Sequence, residues 1–177
     1  MLKQAIDFFQ ESQDIYKILS DISENSLDTA TQFKHWSFND IIRHLHVWNI
    51  AAYKSLQGDI EWETFNNDLQ TFFKEGKKLS DFEKSITKNL KGKRLLNTWQ
   101  STFKNVSEEF KKESPKKRVK WVGPDMSVIS SISARHMETW AHSQAIYDSI
   151  GKVRNNKDRI LNIVIIGNNT FEWTYKV

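Results

Sequence analysis

The chain contains no cysteine. Disulfides, thiolate metal sites and a cysteine nucleophile are therefore excluded, and any thiol chemistry would need a thiol from outside. Proline occurs only at positions 115 and 124, and glycine only six times, so little interrupts regular structure. No apolar run approaches the roughly 18 residues a membrane-spanning helix needs, so no membrane partner is expected. The opening residues, MLKQAIDFFQESQDIY, carry acids early and lack a continuous apolar core, unlike a signal peptide. A cytoplasmic location is the default expectation. Excess charge is also scarce: 26 Lys plus Arg against 22 Asp plus Glu leaves +4. Much of that excess lies in residues 88–94 and 111–120, and neither stretch has the interleaved aromatics or the motif of a nucleic-acid interface. Solvated helix ends and a loop explain both, and no nucleic-acid partner is expected.

What is present is ordinary globular material. The 177 residues suit one domain with a substantial core, and 38% hydrophobic with 27% charged residues excludes a disordered chain. Seven Trp and eleven Phe must find a core or a pocket. Helical periodicity predicts a first helix over about residues 2–22, with Ile6, Phe9, Ile15 and Ile18 among its apolar positions. A second is predicted over 38–56, with the stripe Ile41, Leu45, Trp48, Ala52. The segment 58–76 is ambiguous, with room for a short helix carrying Leu69, Phe72 and Phe73. Ser80 and Glu83 have capping-box spacing and introduce a long helical region to about 112, which Gly92 can interrupt. A turn at 122–125 delivers the chain into a helix over 126–150, stopped by Gly151, and a short helix over 157–166 follows. In residues 170–177, Phe171, Trp173 and Tyr175 alternate with polar residues and read as extended. Four principal helices with short connections give an all-α four-helix bundle over 1–167, followed by an extended aromatic tail over 168–177.

The 126–147 stretch has only two charged residues, Arg135 and Glu138, so it is expected to be covered on most sides. At about 100° per residue, Ile129, Ile132, Met137, Trp140 and Tyr147 share one side. The other side holds Ser131, Ala134, Glu138, Ala141, His142, Ala145 and Ser149, small side chains around a carboxylate and an imidazole. It reads as a pocket floor. Glu138 and His142, four residues apart, stack on one face and can reach one ion, although the same spacing also serves a plain helix-surface hydrogen bond. A third ligand is offered by His44 or His46, which lie roughly 200° apart on the second helix. Periodicity makes His44 the inward one and turns His46 toward solvent. His35 reads as an exposed loop residue, and His136 as a packing or supporting residue on another face. His44, Glu138 and His142 would leave a metal position open to water or a substrate atom, where a bound water or thiol loses its proton more readily.

Trp36-Ser-Phe-Asn-Asp40-Ile-Ile-Arg-His44-Leu45, with His46-Val-Trp48-Asn49 following, resembles the second-helix motif of the DinB-like superfamily. The closer branch is the one containing the mycothiol-dependent maleylpyruvate isomerase N-terminal domain. Trp121-Val-Gly-Pro-Asp-Met-Ser127 and Arg135-His-Met-Glu138-Thr-Trp140-Ala-His142-Ser-Gln144 look like one subfamily of that branch. The resemblance runs over nearly the whole chain. It implies an antiparallel four-helix bundle with a divalent metal held by three side chains, which carry over by position as His44, Glu138 and His142. Zinc is the first expectation and nickel the alternative. Relatives use such a metal to activate a low-molecular-weight thiol toward small electrophiles. Members of the branch usually continue into a sheet-containing second domain, of which residues 170–177 would be the first strand or a remnant.

Two functions follow as expectations. One is a metal-dependent enzyme, similar to a thiol transferase or isomerase, acting on a small-molecule substrate with a borrowed thiol or water. The other is a non-catalytic bundle serving interaction or stress response, with a vestigial or structural metal site. A second copy of the chain is a candidate partner in either case.

Overall fold

The computed structural model describes the backbone of residues 1–174 and the side chains of residues 1–170. Among the described residues seven helices carry the fold: α1 Lys3–Ser20, α2 Phe38–Gln57, α3 Asp59–Lys74, α4 Leu79–Ile86, α5 Gly92–Lys112, α6 Val128–Ser149 and α7 Leu161–Thr174. Helices α1, α5, α2 and α6 pack in that order around a ring, each against its two neighbours, and form the four-helix bundle. Helices α1 and α2 therefore occupy opposite corners. The connections are longer than expected, because the chain must cross the bundle between α1 and α2 and place α3 and α4 outside it before α5 begins.

The inner face of α1 is Ala5, Phe8, Ser12, Ile15 and Leu19, with Ile6, Phe9 and Ile18 on its flanks. From α5 come Leu95, Leu96, Trp99, Phe103, Val106 and Phe110, and from α2 Ile41, Ile42, Leu45 and Ala52. Ser37 caps α2: its hydroxyl accepts from the Asp40 amide at 3.2 Å while the Asp40 carboxylate accepts from the Ser37 amide at 3.0 Å. The break before α5 uses Gly92 at φ +65, where a Cβ would collide with the Glu24 carboxylate that caps the Lys93 amide.

A second, smaller core explains the 58–76 segment. Trp62, Phe65 and Leu69 of α3 and Phe82 of α4 pack on Val47, Trp48 and Ala51 of α2. The face of α2 turned away from the bundle is thus covered, and His46 is 5% exposed rather than solvent-facing as periodicity suggested. A helix wheel records which face is apolar but not whether a neighbouring helix caps the rest.

Between α5 and α6, strand β1, Arg118–Val119, pairs antiparallel with strand β2, Met126–Ser127. The hairpin places Ser127 as the cap of α6, its hydroxyl accepting from the Ser130 amide at 3.2 Å. Ser55, near the end of α2, donates to the Lys120 carbonyl of this hairpin. The end of α2 therefore lies beside the start of α6, and the two helices run antiparallel. The buried stripe of α6 is Ser131, Ile132, Arg135, His136, Thr139, Ser143 and Ile146, which is the seam between the two sides drawn from the wheel, while Ala141 is exposed.

The extended reading of residues 168–177 is corrected as far as position 174, because α7 runs through Thr174. A lone strand leaves its backbone groups unpaired, whereas a continuing helix satisfies them internally. Residues 175–177 lie outside the described residues. Among the described residues no helix is long and apolar enough to cross a membrane. Much of the 111–120 charge is locally paired, as Lys111–Glu108, Lys112–Glu109, Lys117–Glu113 and Lys120–Asp125.

Burial lowers the His46 pKa to about 4, and its Nδ1 has no hydrogen-bond partner among the described residues. A histidine with a depressed folded pKa withdraws stability as pH falls below its unfolded value, roughly 6.5. Urea unfolding of the wild type and of His46→Leu should therefore diverge on acidification, the wild type losing about 2 kcal/mol more than the variant between pH 7 and pH 4.5. Parallel pH profiles would show that His46 is not held neutral.

Candidate metal centre

Three side chains from two helices converge where α2 crosses α6. His44 Nε2 lies 3.6 Å from Glu138 Oε2, and His142 Nε2 lies 3.0 Å from the same oxygen. The two imidazoles meet edge to face with centroids 4.7 Å apart. One donor atom from each residue falls within 4.8 Å of the others. Tetrahedral zinc at its usual bond lengths holds ligand atoms roughly 3.3 Å apart, and the two distances to Glu138 bracket that value. The helical spacing supplies half of this arrangement, since residues four apart on α6 stack on one face. The packing of α2 supplies the other half.

A fourth residue completes the set from behind. Glu83 Oε1 is 2.7 Å from His44 Nδ1 and accepts from Trp48 Nε1 at 3.2 Å. Its side chain is 5% exposed. A carboxylate on one ring nitrogen fixes the tautomer, so that Nδ1 carries the proton and Nε2 presents its lone pair. The Ser80–Glu83 spacing suggested a capping box, but the cap of α4 is made by Asp81, which accepts from the Lys78 amide at 3.0 Å. One sequence signal was present: Glu83 stands four residues after Leu79 and three before Ile86, on the packed face of α4.

The residues before α2 wall the cluster with rings. A reversal closed by the Ala30–Ser37 bridge carries Lys34 and His35 at positive φ and turns Phe33 and Trp36 inward. Trp36 stacks on His142 at 5.6 Å and 19°, and Phe33 meets the same imidazole edge-on at 5.3 Å. Lys34 Nζ lies over both rings at 5.3 and 5.9 Å. Glu138 is the most open of the three donors, with its side chain 31% exposed against 11% and 17% for His44 and His142.

The other histidines stay apart. His35 is exposed. His136 is fully buried on α6, its Nε2 3.9 Å from Glu11 Oε2, within a separate group in which Arg154 and Arg159 also pair with Glu11.

Electrostatics tie the three donors together. Hydrogen bonds from His142 and then His44 hold the Glu138 carboxyl well below the usual range, against the opposing effect of burial. Burial pulls His44 down, but Glu138 and Glu83 outweigh it and its pKa is raised.

Comparison with known proteins places this geometry in context. A sequence model described as the mycothiol maleylpyruvate isomerase N-terminal domain matches residues 8–147. Two uncharacterised proteins of Mycobacterium tuberculosis, from strains CDC 1551 / Oshkosh and H37Rv, are each 34% identical over 83 residues, covering 47% of this chain and 32% of their own length. The chain thus spans about a third of the curated relatives it matches. A crystal structure of a histidine-to-alanine mutant of the mycothiol-dependent maleylpyruvate isomerase superposes with a TM-score of 0.64 at 13% identity, over 93% of this chain and 66% of that one. At that identity the likeness is one of fold.

In metal-free protein the two shifted groups act over an overlapping pH window. The Glu138 contribution is present above its unfolded pKa, roughly 4.3, and is lost as pH falls. The His44 contribution is full below its unfolded pKa, roughly 6.5, and is lost as pH rises through its raised folded value. Glu138→Gln should therefore lose most stability between about pH 4.5 and 6.5 and less at pH 8.5, measured by urea unfolding in chelator. A loss that does not vary with pH would separate the carboxylate from the imidazoles.

Proposed function

Because the chain belongs to the mycothiol maleylpyruvate isomerase N-terminal domain family, we propose that His44, Glu138 and His142 hold a divalent metal ion, zinc first and nickel as the alternative. We further propose that the protein is an enzyme that activates a low-molecular-weight thiol, or water, toward a small electrophile. The observation that carries this reading is the convergence of two imidazoles and one carboxylate on a common point, with Glu83 orienting His44 from behind. When bound, such an ion lowers the pKa of a thiol or water in its open position. The side chains do the rest. Glu83 keeps the His44 proton on Nδ1, and Glu138 is the donor most open to solvent. The rings of Phe33 and Trp36 limit water around the imidazoles and offer an apolar wall to an organic substrate. A chain without cysteine leaves the thiol to be borrowed.

Protein purified without chelator should carry close to one equivalent of a divalent ion per chain, read by elemental analysis. His44→Ala, Glu138→Ala and His142→Ala should lose it while keeping their helical signal. A substoichiometric ion content with no gain on reconstitution would sink the metal reading. Thiol consumption should then be assayed against a panel of small electrophiles. Glu83→Gln should weaken zinc binding by roughly 10- to 100-fold in a competitive chelator titration, the usual effect of removing a partner behind a metal-bound histidine. Unchanged affinity would make Glu83 a purely structural contact.

A further inference from the structure

Helix α7 is pinned at its start and spans open space further on. Arg159, just before it, donates to Glu11 at 2.6 Å and to Asp14 at 2.8 Å, and Asn162 in its first turn donates to Asp7 at 2.6 Å. Those bonds hold the beginning of the helix on α1. Beyond them, Ile166 and Gly167 line a cavity of about 680 Å³ that α7 shares with α6 and the β1–β2 hairpin. Trp121 and Met126 line it from the hairpin, and Ala134 and Met137 from α6. A Cβ at Gly167 would meet nothing within 4 Å, so no described neighbour requires the glycine, and its lack of a side chain leaves the cavity open. Recesses of roughly 300–1,000 Å³, mostly apolar with a few polar groups, are the usual form of a small-molecule site.

The groove is distinct from the candidate metal centre. None of His44, Glu138 and His142 lines it. Its α6 wall, Ser130, Ala134 and Met137, follows the helical repeat back toward the hairpin, whereas His142 lies one turn beyond Glu138 in the other direction. It is distinct as well from the outer face of α7, where Leu161, Val164 and Ile165 are exposed to solvent.

The lining selects a ligand by shape and by charge. Trp121 is fixed from behind, its indole stacked on Trp62 at 5.5 Å and 19° and tilted against Trp48 at 5.6 Å. A ring held in that way is a preformed apolar surface, and the two methionines adapt to what lies against them. Among the lining residues only Arg118 and Asp125 are charged. Asp125 is paired with Lys120 at 3.2 Å. Arg118 is exposed and makes no ion pair among the described residues. Its Nη2 donates to the Asp125 carbonyl oxygen, which occupies a donor without cancelling the charge. Lys117 and Lys120 nearby are taken by Glu113 and Asp125. The rim therefore offers one uncompensated cation, not the basic cluster that an anionic lipid surface needs.

We infer that the groove between α6, α7 and the β1–β2 hairpin binds a free monoanionic amphiphile, a small molecule whose bulky apolar body lies along Trp121, Met126, Met137 and Ile166 while its single anionic head group meets Arg118 at the rim. The inference stands apart from the metal reading, since no donor of the metal centre takes part.

The test titrates the whole chain, in chelator, with two fluorescent probes that share an aromatic body and differ in one group: anilinonaphthalene sulfonate, which is anionic, and phenylnaphthylamine, which is uncharged. Both should bind saturably at one site per chain and raise Tm, the sulfonate about tenfold more tightly. Arg118→Gln should bring the sulfonate down to the affinity of the uncharged probe and leave the latter unchanged. Ala134→Phe, which fills the groove from α6, should weaken both probes at least tenfold. Gly167→Leu fills it from α7 and should do the same, so the test survives if one of the two variants fails to fold. Val164→Lys, on the outer face of α7, should bind both probes as the wild type does. Absence of saturable binding would overturn the inference, as would binding that either folded groove-filling variant leaves intact. Loss of binding in Val164→Lys would place the probes on the outer face of α7 and overturn it. Equal affinity of the two probes, or a sulfonate preference that survives Arg118→Gln, would overturn the anionic head group. Co-sedimentation with phosphatidylglycerol vesicles that Arg118→Gln abolishes would identify a lipid surface as the partner and overturn the small-molecule reading.

Discussion

Helix α2 is buried nearly all round between Ile41 and Asn49, and most of the structure follows from that constraint. The bundle encloses one face, and α3 with α4 encloses the other. The polar side chains on α2 must then find partners inside the protein or leave a donor or acceptor unpaired at a cost of about 1–3 kcal/mol each. Arg43 reaches the Leu90 carbonyl, Thr87 and Asp40, and Asn39 joins Asp28 to the Gly92 amide. These bonds hold the break between α4 and α5 against the start of α2. They also set α4 at the depth where Glu83 meets His44 and Trp48.

The candidate metal centre is in this sense a consequence of how α2 is enclosed. His44 can be aimed because a buried carboxylate stands on its far nitrogen. That carboxylate can be buried because the imidazole and the Trp48 indole both satisfy it. The same enclosure leaves His46, Asn49 and, across on α6, Arg135 and Ser131 with groups that have no hydrogen-bond partner among the described residues. The polar interior therefore divides into a satisfied part, which orients the three donors, and an unsatisfied part beside it. Unsatisfied buried groups lower stability.

Much of the fold was legible from periodicity, because the bundle helices have long apolar stripes and few breakers. The Glu138–His142 pair was legible because residues four apart on a helix share a face whatever surrounds them. The α2 stripe favoured His44 over His46 by turning His46 toward solvent, a premise that the burial of His46 corrects. Glu83 was not legible as a partner of His44, since thirty-nine positions separate the two and only the packing of α4 on α2 joins them. The buried stripe of α6 was misplaced for a related reason. Its core-facing residues are largely Ser, Thr, Arg and His, and hydrophobicity cannot locate a polar face that is buried.

By itself, then, the sequence determined the helical class, the spacing that stacks Glu138 on His142, and the absence of any cysteine thiol from this chain. These are local properties, set by the 3.6-residue repeat and by composition. Only the tertiary structure decided that α3 and α4 bury the far side of α2, that Glu83 stands behind His44, and that Arg135 Nε and Nη2 are buried with no hydrogen-bond partner among the described residues. Each of those depends on which surfaces meet across the chain, and a one-dimensional pattern carries no record of the neighbour that covers it.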